Sequence, residues 1–274
     1  MDRPLVISGA QVVDPASSID GMYDVLIQKG IIAAVDKPGS FQKIEGASFL
    51  EAKGLVLAPG LIDLHVHLRE PGFEWKETVE TGARAAVAGG YTAVCSMPNT
   101  NPPNDTAQVT QYVLDAASRA ELCRVLPIGA ITKEQKGESL APLVELREAG
   151  CVAFSDDGYP VMNSGIMRKA LEYSLMLDCP LACHEEDLCL SAGFAMNESA
   201  RSIRMGLKGM PGAAEEVMIA RDIELARLTG ARVHFCHVST ARGVLLIERA
   251  KSDGIKVTAE ATAHHFTLDE SAVE

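Results

Sequence analysis

The 274-residue chain is 47% hydrophobic and carries a formal charge of −12, enough apolar content for one large core or a large domain with a small companion. That charge balance speaks against binding a nucleic-acid backbone, which needs clustered Lys and Arg for counterion release. No apolar run approaches the roughly 20 residues of a membrane span and the N-terminus has no basic-then-apolar leader, so a cytoplasmic protein without nucleic-acid or membrane partners is expected.

Residues 4–58 hold short β segments (LVISGAQVVD, DVLIQKGIIAAV, SFLEAKGLVLA) broken by Gly, Asp and Pro. They predict that residues 1–58 form part of a small β-sandwich domain. From Gly60 onward, seven apolar strands (LIDLHVHL, YTAVCSMP, RVLPIGAIT, CVAFSDD, PLACHEE, RVHFCHVS, KVTAEATAHH) alternate with mostly helical stretches. One such stretch, 105–120, places Val109, Tyr112, Val113 and Ala116 at helical spacing behind an Asp105 cap, and another, 163–177, starts at Asn163 and Ser164. The Ser-, Gly- and Met-rich run Asp187–Gly212 interrupts this rhythm and is expected to be a solvated loop. The seven cysteines are odd in number and include no CxxC pair, so buried reduced thiols are expected.

Alternation alone fits an open doubly wound sheet or a barrel. The polar residues of interest, His65, His67, Asn99, Asp157, His184 and His237, stand at the C-terminal tips of nearly every strand, which suits a (β/α)8 TIM-type barrel over residues 59–274. Seven strands imply a barrel truncated before its eighth.

Strand alternation turns His65 and His67, with Asp63 before them, to one side of one strand. With His184, His237 and an aspartate after the fourth strand, they form an imidazole and carboxylate set suited to Zn²⁺. The residues alone do not separate Asp156 from Asp157. Arg69 shares the parity of His67 and its fork can clasp a carboxylate; the alternative is a surface ion pair with Glu70 or Glu74. Asn99 by itself reads as a turn residue in PNTNPPN. His234 lies at an odd offset from His237 and is expected to pack behind the barrel wall, and neither His264 nor His265 is assigned as a ligand.

The segments DLHVHLREPG, SMPNTNPP, AFSDDG, HEED, HVST and the lead-in VLAPGLID resemble the dihydroorotase family of amidohydrolases over essentially the whole chain. Within it the chain is similar to the bacterial class with aspartate where relatives have a carboxylated lysine, since no lysine lies between Lys136 and Lys169. The resemblance implies a metal-dependent amidohydrolase barrel binding one or two zinc ions, His65 and His67 with Asp157, and His184 and His237 with Asp157 bridging. It assigns Arg69 and Asn99 to the substrate's α-carboxylate. It places a catalytic aspartate on the eighth strand, beyond residue 274, so the 274 residues alone are expected to be weak or inactive. The implied reaction is reversible hydrolysis of L-dihydroorotate to N-carbamoyl-L-aspartate in pyrimidine synthesis. Implied partners are that small anionic substrate, a second copy of the chain, and aspartate carbamoyltransferase. The rivals are a hydantoinase, dihydropyrimidinase or allantoinase, or a non-catalytic scaffold for aspartate carbamoyltransferase.

Overall fold

Residues 3–273 are described by the structure, a computed structural model, and they divide after Leu61 into two units. In the first, β1 (Leu5–Asp14), β2 (Ile19–Gln28) and β3 (Ile31–Asp36) run antiparallel, while β4 (Ser48–Glu51) and β5 (Val56–Leu57) pair parallel to β1. Alternation along β1 and β2 buries Ala10, Val12 and Val25 in one cluster and Val6 and Leu26 in another. The β1–β2 register shifts between Ile7 and Ala10, where Gly9 takes a φ of 73°. Buried Asp24 meets this kink: its two oxygens accept from the N–H groups of Gly9 (2.9 Å) and Gly39 (2.7 Å), so neither is left unpaired.

The second unit is built on a seven-stranded sheet of β6 (Leu61–Val66), β7 (Tyr91–Ser96), β8 (Arg124–Gly129), β9 (Ala153–Phe154), β10 (Leu181–Cys183), β13 (Val233–Phe235) and β14 (Val257–Ala259), paired in chain order. The pairs from β7 to β14 are parallel, and helices α1 (Val79–Ala88), α2 (Ala107–Ala120), α3 (Leu143–Ala149), α4 (Ser164–Met176), α7 (Ala213–Thr229) and α8 (Ala241–Ser252) connect or follow successive strands. This is the sheet and helix order of a (β/α) barrel. Alternation divides its side chains into two sets. Phe154, Leu181 and Phe235 pack with Leu146, Leu171 and Ile219 of the helices, each worth roughly 1.5–3 kcal/mol on burial. Cys95, Ile128, Ala153 and Ala182 cluster with Cys236 on the other face.

Helix starts follow capping chemistry. The side chains of Thr106, Asn163 and Thr240 accept from N–H groups of the first turns of α2, α4 and α8. Thr106, not Asp105, therefore caps α2; Asp105 accepts instead from the N–H of Glu134. Val109, Val113 and Ala116 are buried as their spacing predicts, whereas Tyr112 is 41% exposed and donates its hydroxyl to Glu70 at 2.8 Å.

Two further expectations need correction. The segment 187–212 is not an irregular loop: it contains α5 (Leu188–Ser191), β11 (Met196–Asn197), α6 (Ala200–Met205) and β12 (Gly209–Met210), with β11 and β12 pairing parallel and a Ser199 capping box opening α6. Paired backbone replaces water as the partner of its polar groups. Five cysteines are buried, but Cys189 on α5 is exposed and Cys123 half-buried. Among the described residues no helix is long and apolar enough to cross a membrane.

Candidate metal centre

The strands end earlier than their apolar runs, so most of the polar residues of interest stand on the first residues beyond them: His67 after β6, Asp157 after β9, His184 after β10 and His237 after β13. Ladder bonds beyond the strands hold these tips in place, with Met97 N–H donating to the Val66 carbonyl (2.9 Å), Ser155 to Gly129 (2.8 Å), and Cys236 to Cys183 (3.0 Å). The tips converge. His65 Nε2 lies 3.2 Å from Asp157 Oδ1 and His67 Nε2 lies 3.5 Å from Oδ2. His65, Asp157 and His237 each present one donor atom within 4.8 Å of the others, and His184 joins through a 3.2 Å contact of its Nδ1 with His237 Nε2. The four imidazoles form a chain with ring-centre separations of 5.2 Å (His65–His67), 5.5 Å (His65–His237) and 4.9 Å (His184–His237).

The two aspartates separate by what they touch. Asp156 Oδ1 accepts from the N–H groups of Ile131 (2.8 Å) and Thr132 (2.9 Å), and Oδ2 accepts from the Thr132 hydroxyl. It ties β9 to the end of β8, and burial pushes its carboxyl up to about 6 against those bonds. Asp157 faces the histidines.

Burial acts on each group in the cluster, and its charges decide the outcome. For His65, burial pulls the pKa down, but hydrogen bonds with Asp157, Cys236 and Glu260 outweigh it and push the pKa up to about 12. Burial opposes ionisation of Asp157 too, yet the His65 hydrogen bond and the His65, His67 and His237 charges hold its carboxyl below the usual range. His67 and His237 are shifted down by burial and by neighbouring positive charge: Arg69 and His65 in one case, His184 and His65 in the other.

Asn99 bridges two of these residues. Its Oδ1 accepts from His67 Nδ1 (2.9 Å) and its Nδ2 donates to Asp157 Oδ2 (2.8 Å), leaving one amide N–H for a bound molecule. Arg69 lies past the end of β6 at a φ of 61°, so strand parity does not set its direction, although its charge reaches His67. The surface ion pairs considered for it are not formed. Glu70 accepts from Val79 N–H (2.8 Å) and Tyr112, and Glu74 from Gly72 N–H (2.8 Å). The Arg69 and Asn99 loops meet at Gly72, where a Cβ would collide with the Asn101 carbonyl. Asp63 accepts from the His65 N–H at 3.0 Å, a backbone role. His264 and His265 sit exposed at the start of α9 (Ala263–Thr267).

Sequence reasoning missed three glutamates. Glu260 follows β14 by one residue; its carboxylate accepts from His65 Nδ1 (2.6 Å) and from His234 Nε2 (3.1 Å). His234 therefore does not pack as an isolated ring behind the wall: β13 ends at Phe235 and the chain turns through His237 at a φ of 36°, so the offset between the two histidines carries no strand parity. Glu186 accepts from His184 Nε2 at 2.9 Å. Buried Glu215 accepts from the N–H groups and hydroxyls of Ser239 (2.8 and 2.9 Å) and Thr240 (2.9 and 2.6 Å), which fixes the chain just past the strained His237. Glu260 had a legible signal, because it stands at a strand tip as the histidines do. Glu215, inside a helix, had none.

A dihydro-orotase-like family model matches residues 54–243. Two curated relatives named dihydroorotase are each 52% identical: one from Solibacter usitatus (strain Ellin6076) over 97% of this chain and 61% of its own length, and one from Anaeromyxobacter dehalogenans (strain 2CP-C) over 100% and 63%. This chain thus spans about three-fifths of their length. In fold it is similar to an L-hydantoinase (dihydropyrimidinase) from Arthrobacter aurescens, with a TM-score of 0.77 at 22% identity, covering 95% of this chain and 58% of that one. The strand-tip histidines stand on a shared fold and within a matching sequence, and the chain belongs to the dihydroorotase-like family.

Proposed function

We propose that the protein to which this chain belongs hydrolyses L-dihydroorotate reversibly to N-carbamoyl-L-aspartate, in pyrimidine biosynthesis, with zinc held by His65, His67, Asp157, His184 and His237. The observation that carries the reading is the convergence of four imidazoles and one carboxylate from four strand tips, with the charge of Arg69, which has no acidic partner among the described residues, reaching His67. The donor set fits zinc: imidazole and carboxylate are its ordinary ligands, and His65, His67 and His184 each have the remaining ring nitrogen held by a carboxylate or amide oxygen. Bound there, zinc would polarise an amide carbonyl and lower the pKa of a water molecule.

The chain's own residues supply binding and orientation. Arg69 offers a planar fork to the substrate's α-carboxylate, and the free amide N–H of Asn99 can donate to the same group. Asn99 thereby links the carboxylate pocket to Asp157 through one amide, so substrate position and ligand position are set together. The anionic substrate meets local positive charge within a chain of net charge −12.

The reading is tested on the complete gene product by comparing turnover of dihydroorotate, hydantoin, dihydrouracil and allantoin. Dihydroorotate is expected to be preferred; preference for hydantoin would overturn the substrate assignment, and purification without stoichiometric zinc or activity would favour the scaffold reading. Arg69→Ala is expected to retain zinc and lose about one to two decades in rate on dihydroorotate, the value of a charge-assisted contact of roughly 1.5–3 kcal/mol. An unchanged rate would leave Arg69 outside the site.

A pH dependence also follows. Against the pull of burial, hydrogen bonds with Asp157, Cys236 and Glu260 raise the His65 pKa from 6.5 to about 12, so at neutral pH this imidazole would release a proton if it were to serve as a zinc ligand. Zinc affinity is expected to rise with pH between about 6.5 and 9, by up to about ten-fold per unit for one released proton. The stability this raised pKa lends the metal-free protein has the opposite sign: it is fully present below 6.5 and is lost as pH rises toward 12. Chelator competition across this range checks the first statement, and a flat profile would contradict it.

A further inference from the structure

The carboxylate of Glu260 is shared by two histidines of different standing. One, His65, is a proposed zinc ligand; the other, His234, has no place in that ligand set. Glu260 Oε1 accepts from His65 Nδ1 at 2.6 Å and Oε2 accepts from His234 Nε2 at 3.1 Å, so both oxygens are committed and the group has a fixed orientation. His234 is itself fixed from behind, its Nδ1 lying 2.8 Å from Thr258 Oγ1 on the neighbouring strand. Backbone bonds lock the same corner: Glu260 N–H donates to the Phe235 carbonyl (3.0 Å), and Val238 N–H donates to the Glu260 carbonyl (2.9 Å). The side chains of His234 and Glu260 are only 12% and 19% exposed, which keeps water from competing for these contacts.

We propose that Glu260 is a positioning residue for the metal centre: clamped by His234, it holds His65 by Nδ1 so that Nε2 alone is presented beside Asp157. An imidazole has two chemically similar nitrogens, and a ligand that can swing or ring-flip binds metal less tightly than one held by a carboxylate behind it. His65 sits on the first strand of the sheet and Glu260 beyond the last, 195 residues later, so this bond also ties the two edge strands to each other at the site. The chain Thr258, His234, Glu260, His65, Asp157 is continuous, and only its last two members are proposed ligands.

This inference rests on His65 being a zinc ligand, and the experiment separates the two statements. Zinc affinity by chelator competition, zinc stoichiometry, and the melting temperature of the metal-free protein are measured on the complete gene product and on His65→Ala, Glu260→Ala, Glu260→Gln and His234→Ala. Glu260→Ala is expected to bind zinc about 10- to 100-fold more weakly than the parent, the usual effect of removing such a partner. Glu260→Gln, which keeps the shape and one acceptor but loses the charge, should fall between the two, with a metal-free melting temperature close to the parent's. His234→Ala, which frees the clamp without touching a ligand, should weaken zinc by less than Glu260→Ala. A purely structural role would lower the melting temperature and leave the affinity of the folded fraction unchanged. Parental affinity in Glu260→Gln and in Glu260→Ala overturns the proposal, and if Glu260→Ala does not fold, parental affinity in Glu260→Gln alone does so. Loss of one whole zinc equivalent with the remainder bound at parental affinity also overturns it, making Glu260 a ligand. Parental zinc in His65→Ala instead defeats the ligand assignment on which the inference stands.

Discussion

Proteins carrying His65→Ala or His67→Ala are expected to lose most of their tightly bound zinc and, in the complete gene product, most of their activity. His65 contributes the imidazole nearest Asp157, at 3.2 Å, and belongs to the tight trio with Asp157 and His237. Tetrahedral zinc has few ligands, and water in place of one cannot reproduce the site. His67 should show a smaller loss than His65, because it stands 3.5 Å from Asp157 and is the more exposed of the two. Metal analysis after dialysis against a weak chelator checks both, and full zinc and activity in both variants would remove the basis of the metal assignment. A fold defect is distinguishable by melting the metal-free proteins.

The second large effect separates two adjacent aspartates. Asp156→Ala is expected to destabilise the protein severely, because it strands two buried backbone N–H groups and a hydroxyl at the end of β8. At about 1–3 kcal/mol for each unsatisfied group, the loss reaches roughly 3 kcal/mol or more. That corresponds to a melting temperature lower by about 6–12 °C in a protein of this size. Asp157→Asn should do the reverse, keeping the Asn99 contact through its carbonyl and much of the stability while losing zinc. Thermal melts paired with zinc analysis read both. Zinc loss with an unchanged melt in Asp156→Ala, together with full zinc in Asp157→Asn, would exchange the two assignments.

What was legible in the sequence is what depends on local period and position. Two imidazoles two residues apart on an alternating strand must share a side, and a run of apolar strands each ending in His or Asp must gather those residues at one end of a parallel sheet. Val109, Val113 and Ala116 announced a buried helix face for the same reason. Tyr112 sat within that pattern and still lies outward, because its hydroxyl finds Glu70 rather than the core. Glu260 was legible by position but is a poor signal by type, since a lone glutamate after a strand is ordinarily solvated.

The remaining assignments needed the tertiary structure. Strand order brings residues 58, 32 and 195 positions apart within hydrogen-bond distance, as in Asn99 with Asp157, His67 with Asn99, and His65 with Glu260. Which oxygen faces which donor at those meetings is a matter of register and strand ends, and neither is written in local spacing. Asp156 and Asp157 are chemically identical neighbours, and only the placement of Ile131 and Thr132 against one of them turns it into a backbone tie and leaves the other facing the imidazoles. His234 is the same case: the turn through His237 at positive φ breaks the alternation that would have assigned it, so its bond to Glu260 could be known only once the two strand tips were seen side by side.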